Sequence, residues 1–314
     1  MNCSIVIRAY NEEKHIGRLL EGIRQQTLKD VEVILVDSGS TDATVSIAES
    51  YDARIVQIPS AEFTFGRSLN FGVRAATREL VVIASAHVYP VYPDWLESLL
   101  RPFTNERVAL TYGKQRGPAT AKYSEQQIYQ RWYPDTGSLN QSTAFCNNAN
   151  AAIRKSLWEQ NPYDETLTGL EDLAWAKWAK DQGWQIAYVP EAEIVHIHNE
   201  TPRGVFNRYR REGMAFKRIY PEASFSVYDF LRLTTMNIFS DLWHAVRDRV
   251  FWQSFASIFW FRWMQFHGTR MGYRESGLLT PQLRETFYYA RERKTNDRTQ
   301  RNIDPIEYGN HPGK

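Results

Sequence analysis

Three groups of residues in this chain have types and spacings that could do chemistry. Glu171-Asp172 opens an apolar stretch, Leu173-Ala174-Trp175-Ala176-Lys177-Trp178. Acidic residues in a first helical turn complement the helix dipole. A carboxylate turned into a cleft can instead take a proton from a hydroxyl, as a general base does. His196 and His198 lie two apart at the end of a strand-like run, so in extended chain both imidazoles point to one side. Asp37-Ser38-Gly39-Ser40-Thr41-Asp42 follows an apolar run. Here Asp42 or Thr41 can cap the next helix, while the Asp37 carboxylate can accept a hydrogen bond from a nucleobase N–H or a ribose hydroxyl.

These residues need a frame to hold them. Cys3–Ile7, Val31–Val36, Arg54–Ile58 and Leu80–Ala84 read as strands, short and rich in β-branched residues. Between them, 12–24, 42–51 and 66–76 carry apolar residues at helical spacing, Ile16, Leu19, Leu20 and Ile23 among them. This alternation predicts an α/β fold, a Rossmann-like, mainly parallel sheet flanked by helices. Ligands of such sheets bind beyond the carboxyl ends of the strands. Those ends are Tyr10-Asn11-Glu12, the 37–42 segment and Ser85-Ala86-His87. Further on, a strand at 108–112, a polar loop at 113–123, a helix at 172–182 and a strand at 186–189 are expected, then a basic helix at 203–218.

Composition closes several routes. The 38 Lys and Arg nearly cancel the 36 Asp and Glu, leaving a formal charge of +2, so no whole-molecule field draws in nucleic acid. Cys3 and Cys146 are the only cysteines, too few for a disulfide framework, and a reducing cytoplasm is the expected setting. The chain opens directly on a strand-like run, so no signal peptide is expected. The longest charge-free aromatic stretch, 250–261, is well short of the ~18–20 apolar residues of a membrane span. The first strand turn, Arg8-Ala9-Tyr10-Asn11-Glu12-Glu13, lacks glycine. That removes the main support for a dinucleotide-binding dehydrogenase, a P-loop kinase or a sugar-nucleotide pyrophosphorylase.

The motifs in order resemble the family 2 glycosyltransferases. They are Arg8-Ala9-Tyr10-Asn11-Glu12-Glu13, the Asp37–Asp42 segment, Gly66-Arg67-Ser68-Leu69-Asn70-Phe71-Gly72, Asn150-Ala151-Ala152-Ile153-Arg154 and Gly169-Leu170-Glu171-Asp172. The resemblance covers roughly residues 1–200. It implies a glycosyltransferase A fold, a nucleotide diphosphate-sugar donor and inversion at the anomeric carbon. It places Asp37 on the base and has Tyr10, Glu12 and Arg67 help hold the nucleoside or its phosphates. It makes Asp172 the base toward an acceptor hydroxyl, with Glu171 orienting the acceptor or a side chain. Where the family carries Asp-x-Asp, this chain has Ser85-Ala86-His87. A divalent cation, Mn²⁺ rather than Mg²⁺, would then rest on His87 with His196 or His198. Without a metal, Arg208, Arg210 or Arg211 of the basic helix would have to neutralise the diphosphate. The setting implied is surface polysaccharide or glycolipid assembly, with a glycan or lipid-linked hydroxyl as acceptor. The competing reading is a non-catalytic nucleotide-sugar or glycan-binding subunit.

Beyond 200 the chain changes character. Residues 201–290 read as a basic, aromatic-rich helical extension and 291–314 as a charged, flexible tail. Positions 225–275 hold eight Phe, four Trp and two Tyr. A helix apolar nearly all round is buried in a core or a dimer interface, or lies in the headgroup layer of a membrane. Peripheral attachment to the inner face of the cell membrane and homodimerisation both follow as expectations.

Overall fold

The computed structural model describes residues 1–198, 201–275 and 303–308. The first half runs β1 (Cys3–Ala9), α1 (Ile16–Arg24), β2 (Val31–Asp37), α2 (Thr44–Glu49), β3 (Arg54–Gln57), α3 (Phe65–Ala75) and β4 (Leu80–Ser85). The middle adds β5 (Val88–Pro90), α4 (Trp95–Leu100), β6 (Val108–Arg116), α5 (Tyr123–Trp132), β7 (Asn150–Arg154) and α6 (Lys155–Gln160). Then come α7 (Glu171–Asp181), β8 (Gln185–His196), α8 (Pro202–Ile219), α9 (Val227–Arg247) and α10 (Phe251–Arg274).

One sheet, ordered β3-β2-β1-β4-β7-β6-β8-β5, organises the molecule. Its first four strands are parallel, as the strand–helix alternation predicts. The far half is mixed: β7 runs antiparallel between β4 and β6, β8 lies parallel to β6, and β5 is antiparallel to β8. Both faces are covered, so β1 reads as an apolar run rather than an alternation. Ile5 and Ile7 enter the core on one face, with Leu19 and Trp95, while Val6 enters the other with Leu69 and Trp175. Gly72 permits the second contact: a Cβ there would stand 2.3 Å from Val6.

Two expectations need correction. The segment 113–123 is not a polar loop throughout, because β6 continues to Arg116 and α5 begins at Tyr123. Gln115 and Arg116 pair with Ile194 and Val195 beyond a register shift, and the fully buried, neutral Thr111–Gly113 run carries the strand on. The loose tail is corrected at 303–308, where Ile306 N–H donates to Val91 O at 2.9 Å and Tyr308 meets Tyr89 and Arg18. The rest of the tail, and 276–290 of the extension, lie outside the described residues.

The helical extension is a second packing layer. Ser226 and Asp229 form a reciprocal cap at the start of α9. Arg262 of α10 is 1% exposed and clasps Asp241 of α9 with two bonds, 2.7 and 2.9 Å long. α10 approaches α8 through glycine: a Cβ at Gly268 would stand 2.3 Å from Phe206 O, and one at Gly272 2.2 Å from Arg210 O. Among the described residues no helix is long and apolar enough to cross a membrane.

Candidate active site

A cavity of about 450 Å³ opens at the carboxyl end of the parallel strands, roofed by α5 and α8. Ser85, His87, Glu171, Asp172, His196, Arg208 and Arg211 all line it. Residues up to 204 positions apart in sequence thus share one space, the distance from Arg8 to Glu212.

The acid pair sits at the first turn of α7. Leu170 before it adopts φ 56°, ψ 28°, a left-handed conformation uncommon outside glycine and asparagine that turns the chain sharply into the helix. Both carboxylates are buried, at 5% and 8% exposure. Asp172 Oδ2 accepts the Asn148 N–H at 3.0 Å and its Oδ1 the Leu173 N–H at 2.8 Å. Glu171 Oε1 receives longer approaches, 3.5 Å each, from Arg8 and from the Asn148 side chain. Burial raises the Asp172 pKa, the neighbouring Glu171 charge raises it further, and together they outweigh the two backbone donors and Arg8, to about 7. A carboxylate with that affinity for a proton suits general base work near neutrality.

The second group is a knot of three imidazoles. β5 pairs with β8 so that Val88 faces His196, and Ile197 N–H donates to His87 O at 3.0 Å. That register brings candidate ligand atoms of His87, His196 and His198 within 4.8 Å of one another. Each ring is held through Nδ1: His87 by Glu12 Oε1 at 2.7 Å, His196 by Gln115 Oε1 at 2.8 Å, His198 by Glu125 Oε1 at 2.8 Å. At His87 and His196 these acceptors favour the Nδ1–H tautomer and leave Nε2 as a lone pair. Arg208 also approaches His198 Nδ1, at 2.9 Å, while its other arm donates to Glu125 at 3.2 Å. His196 Nε2 is buried with no hydrogen-bond partner among the described residues. Burial, first, holds His196 and His198 well below the ordinary histidine pKa, helped by the charge of Arg208 and by His87. Both are therefore neutral at pH 7, the state a metal requires.

The remaining candidates stand elsewhere. Glu12 is one layer back, on His87. Tyr10 is 56% exposed and outside the cavity lining. Asp37 turns into its own loop, accepting from Gly39 N–H and Ser40 N–H at 3.1 Å each. Arg67 is held between Glu62 and Glu165, and Arg210 pairs with Glu275 at 2.6 Å. The cavity also uses residues that the sequence reading passed over: Arg8, Phe65, Gln115, Glu125 and Tyr129. Arg8 and Arg211 each lay a guanidinium 4.8 Å from the Phe65 ring centre. A charged residue within the buried run of β1 was the available signal for Arg8.

Residues 4–161 match the sequence profile described as glycosyl transferase family 2. Among similar proteins, the O-antigen chain rhamnosyltransferase RfbN of Salmonella typhimurium is 28% identical over 68% of this chain and 72% of its own. The O-antigen chain rhamnosyltransferase WbaN of Salmonella anatum is 30% identical over 67% and 71%. Among solved structures, the Pyrobaculum calidifontis mannosyltransferase PcManGT, in complex with GDP-Man and Mn²⁺, superposes with a TM-score of 0.58 at 18% identity over 84% of each chain. Staphylococcus aureus TarS 1–349, in complex with UDP-GlcNAc, gives 0.54 at 16% identity over 84% of this chain and 90% of that one. The fold is that of the glycosyltransferase A enzymes, and the chain belongs to glycosyl transferase family 2.

Proposed function

We propose that this glycosyltransferase moves a sugar from a nucleotide diphosphate-sugar to a hydroxyl of a growing surface polysaccharide, in one in-line displacement with inversion. The observation that carries the proposal is the buried Glu171-Asp172 pair, opening on the same cavity as the histidine knot. Inversion needs a base on the face opposite the leaving diphosphate. Asp172 is the base in this reading, taking the acceptor hydroxyl proton as that oxygen attacks the anomeric carbon and the diphosphate departs. Glu171, tied to Arg8 and Asn148, positions it. The O-antigen chain relatives and the poly(ribitol-phosphate) transferase TarS of Staphylococcus aureus, 23% identical over 80% of this chain, support a surface polysaccharide as acceptor. A non-catalytic binding subunit is set aside by the family itself, and a binder would have no use for a carboxylate of raised pKa.

The cavity's own charges favour a cation beside the donor. Arg8 faces Glu171 and Arg208 faces Glu125, so their charge is largely spent before a diphosphate arrives. Arg211, stacked on Phe65, is the lining arginine for which no carboxylate partner is described. The residues fit a divalent ion, because His196 Nε2 is orphaned in a buried position and two further imidazoles stand beside it. His87 and His196 would hold the ion, with His198 as the third ligand. When bound, it would neutralise the diphosphate oxygens as a Lewis acid, and a nitrogen-rich set favours Mn²⁺ over Mg²⁺.

Two measurements test this. A panel of nucleotide sugars is screened for release of nucleoside diphosphate, and the anomeric configuration of the product is read by NMR. Retention of configuration overturns the displacement. Mn²⁺ binding followed by electron paramagnetic resonance should be tight in the wild type and lost in His196→Ala; equal binding by both moves the ion elsewhere.

A further inference from the structure

We propose that the outer face of the α9–α10 hairpin is a docking surface for an anionic lipid bilayer, on which the enzyme lies without crossing it. The hairpin is amphipathic in an inverted sense. Its inner side carries the buried Asp241–Arg262 clasp and packs on α5 and α8. Its outer side is aromatic. Along α9, Tyr228, Leu231, Phe239, Trp243 and Val246 recur at helical spacing and are 69%, 52%, 71%, 66% and 56% exposed. Along α10, Trp252, Phe255, Phe259 and Trp263 form a second stripe, with Trp252 at 88%. Scattered apolar side chains are ordinary on a protein surface, but two adjoining stripes of this size mark an interaction site.

Charge selects the partner. Arg232, Arg247 and Arg249 are exposed on or beside the same helices. The exposed carboxylates there are fewer: Asp248, which accepts the Tyr123 hydroxyl at 2.6 Å, and Glu275, which pairs with Arg210. The face therefore presents tryptophan and phenylalanine beside a net excess of arginine. Anionic headgroups complement that excess, while indole rings occupy the boundary between headgroup and acyl chain. At 21 and 24 residues the helices are ~31 and ~36 Å long, which gives a broad footprint rather than a point anchor. One helix layer, α5 and α8, separates this footprint from the cavity they line. A hydroxyl acceptor held at a bilayer surface would then be within the enzyme's working plane.

The test needs no reaction, so its failure and that of the proposed function are separable. Full-length protein is floated with phosphatidylcholine vesicles, with and without about a third of phosphatidylglycerol. Binding is expected only to the anionic vesicles, weakening as salt is raised, with quenching of tryptophan emission by brominated lipid. The triple variant Phe239→Ser/Trp243→Ser/Trp252→Ser alters only outward side chains and should bind ~10-fold or more weakly, with an unchanged circular dichroism melt. The quenching in wild type stands as a second readout if the variant fails to fold. Absence of binding to either vesicle, equal binding to both, or a dimer in light scattering that ignores lipid overturns the proposal.

Discussion

Replacing Glu171 by glutamine should move the acid limb of the pH–rate profile to lower pH. The reasoning starts from Asp172, whose pKa is raised to about 7 by burial first and by the Glu171 charge second. Glu171→Gln keeps the side chain's size and a carbonyl oxygen for Arg8 and the Asn148 amide, so burial is nearly unchanged. What disappears is one negative charge whose carboxylate shares Asn148 as a partner with that of Asp172. Two unit charges ~5 Å apart at an effective dielectric of ~20 repel by ~3 kcal/mol, about two pKa units. Arg8, 3.5 Å from Glu171, already offsets part of this, and once released it favours the Asp172 carboxylate. A downward shift of about one unit is therefore expected. The assay is kcat/KM from pH 5.5 to 9, read by nucleoside diphosphate release, with the plateau at high pH retained within a few-fold. A limb that stays in place, or moves upward, refutes the coupling and with it the assignment of the limb to Asp172.

Other outcomes follow from the same structure. Asp172→Asn should lower transfer by ~10²-fold or more with nucleotide-sugar affinity little changed by calorimetry. Its amide NH₂ must face one of the two backbone N–H donors, so the variant should also lose ~1–3 kcal/mol of stability. Arg262→Ala strands Asp241, which is 0% exposed, and should cost ~3–5 kcal/mol in urea unfolding, whereas Arg262→Met/Asp241→Leu should recover most of it. His196 and His198 titrate well below their unfolded value of 6.5, so below that pH the unfolded chain binds more protons than the folded one. Stability is fully present above pH 6.5 and lost below it, and His196→Gln/His198→Gln should flatten the fall in Tm between pH 7 and 5.5; an equally steep fall removes these two residues as its cause.

How much of this was legible in the sequence depends on how local each feature is. The first four strands and the helices between them were legible because each writes its own periodicity: a β-branched run, then Ile16, Leu19, Leu20 and Ile23 on one helix face. The strand β7 was not. Asn150-Ala151-Ala152-Ile153-Arg154 is too short and too alanine-rich to declare a strand, and it is extended because β4 and β6 pair with it on either side. β8 was seen only at 186–189 because Pro190 and Glu191 interrupt the apolar run, whereas pairing with β6 and β5 carries the strand through to His196.

The site shows the same division more sharply. Glu171-Asp172 could be singled out because both groups needed for the chemistry are adjacent and open a helix. Asp37 and Arg67 were singled out by motif, yet the structure turns one into its own loop and clamps the other between Glu62 and Glu165. Motif order carries no information about which carboxylate lies within an arginine's reach. The histidine knot depends on a register: with Val88 opposite His196, His87 meets His196 and His198 across a strand pair of three residues. Shifting that pairing by one residue would reverse the side-chain faces and part the rings. What fixes each imidazole is more distant still, since Glu12, Gln115 and Glu125 come from the first strand turn, from β6 and from α5. A pair of histidines two apart can be read in one dimension. The neutral, oriented nitrogens that make them a ligand set exist only once three elements have converged on them.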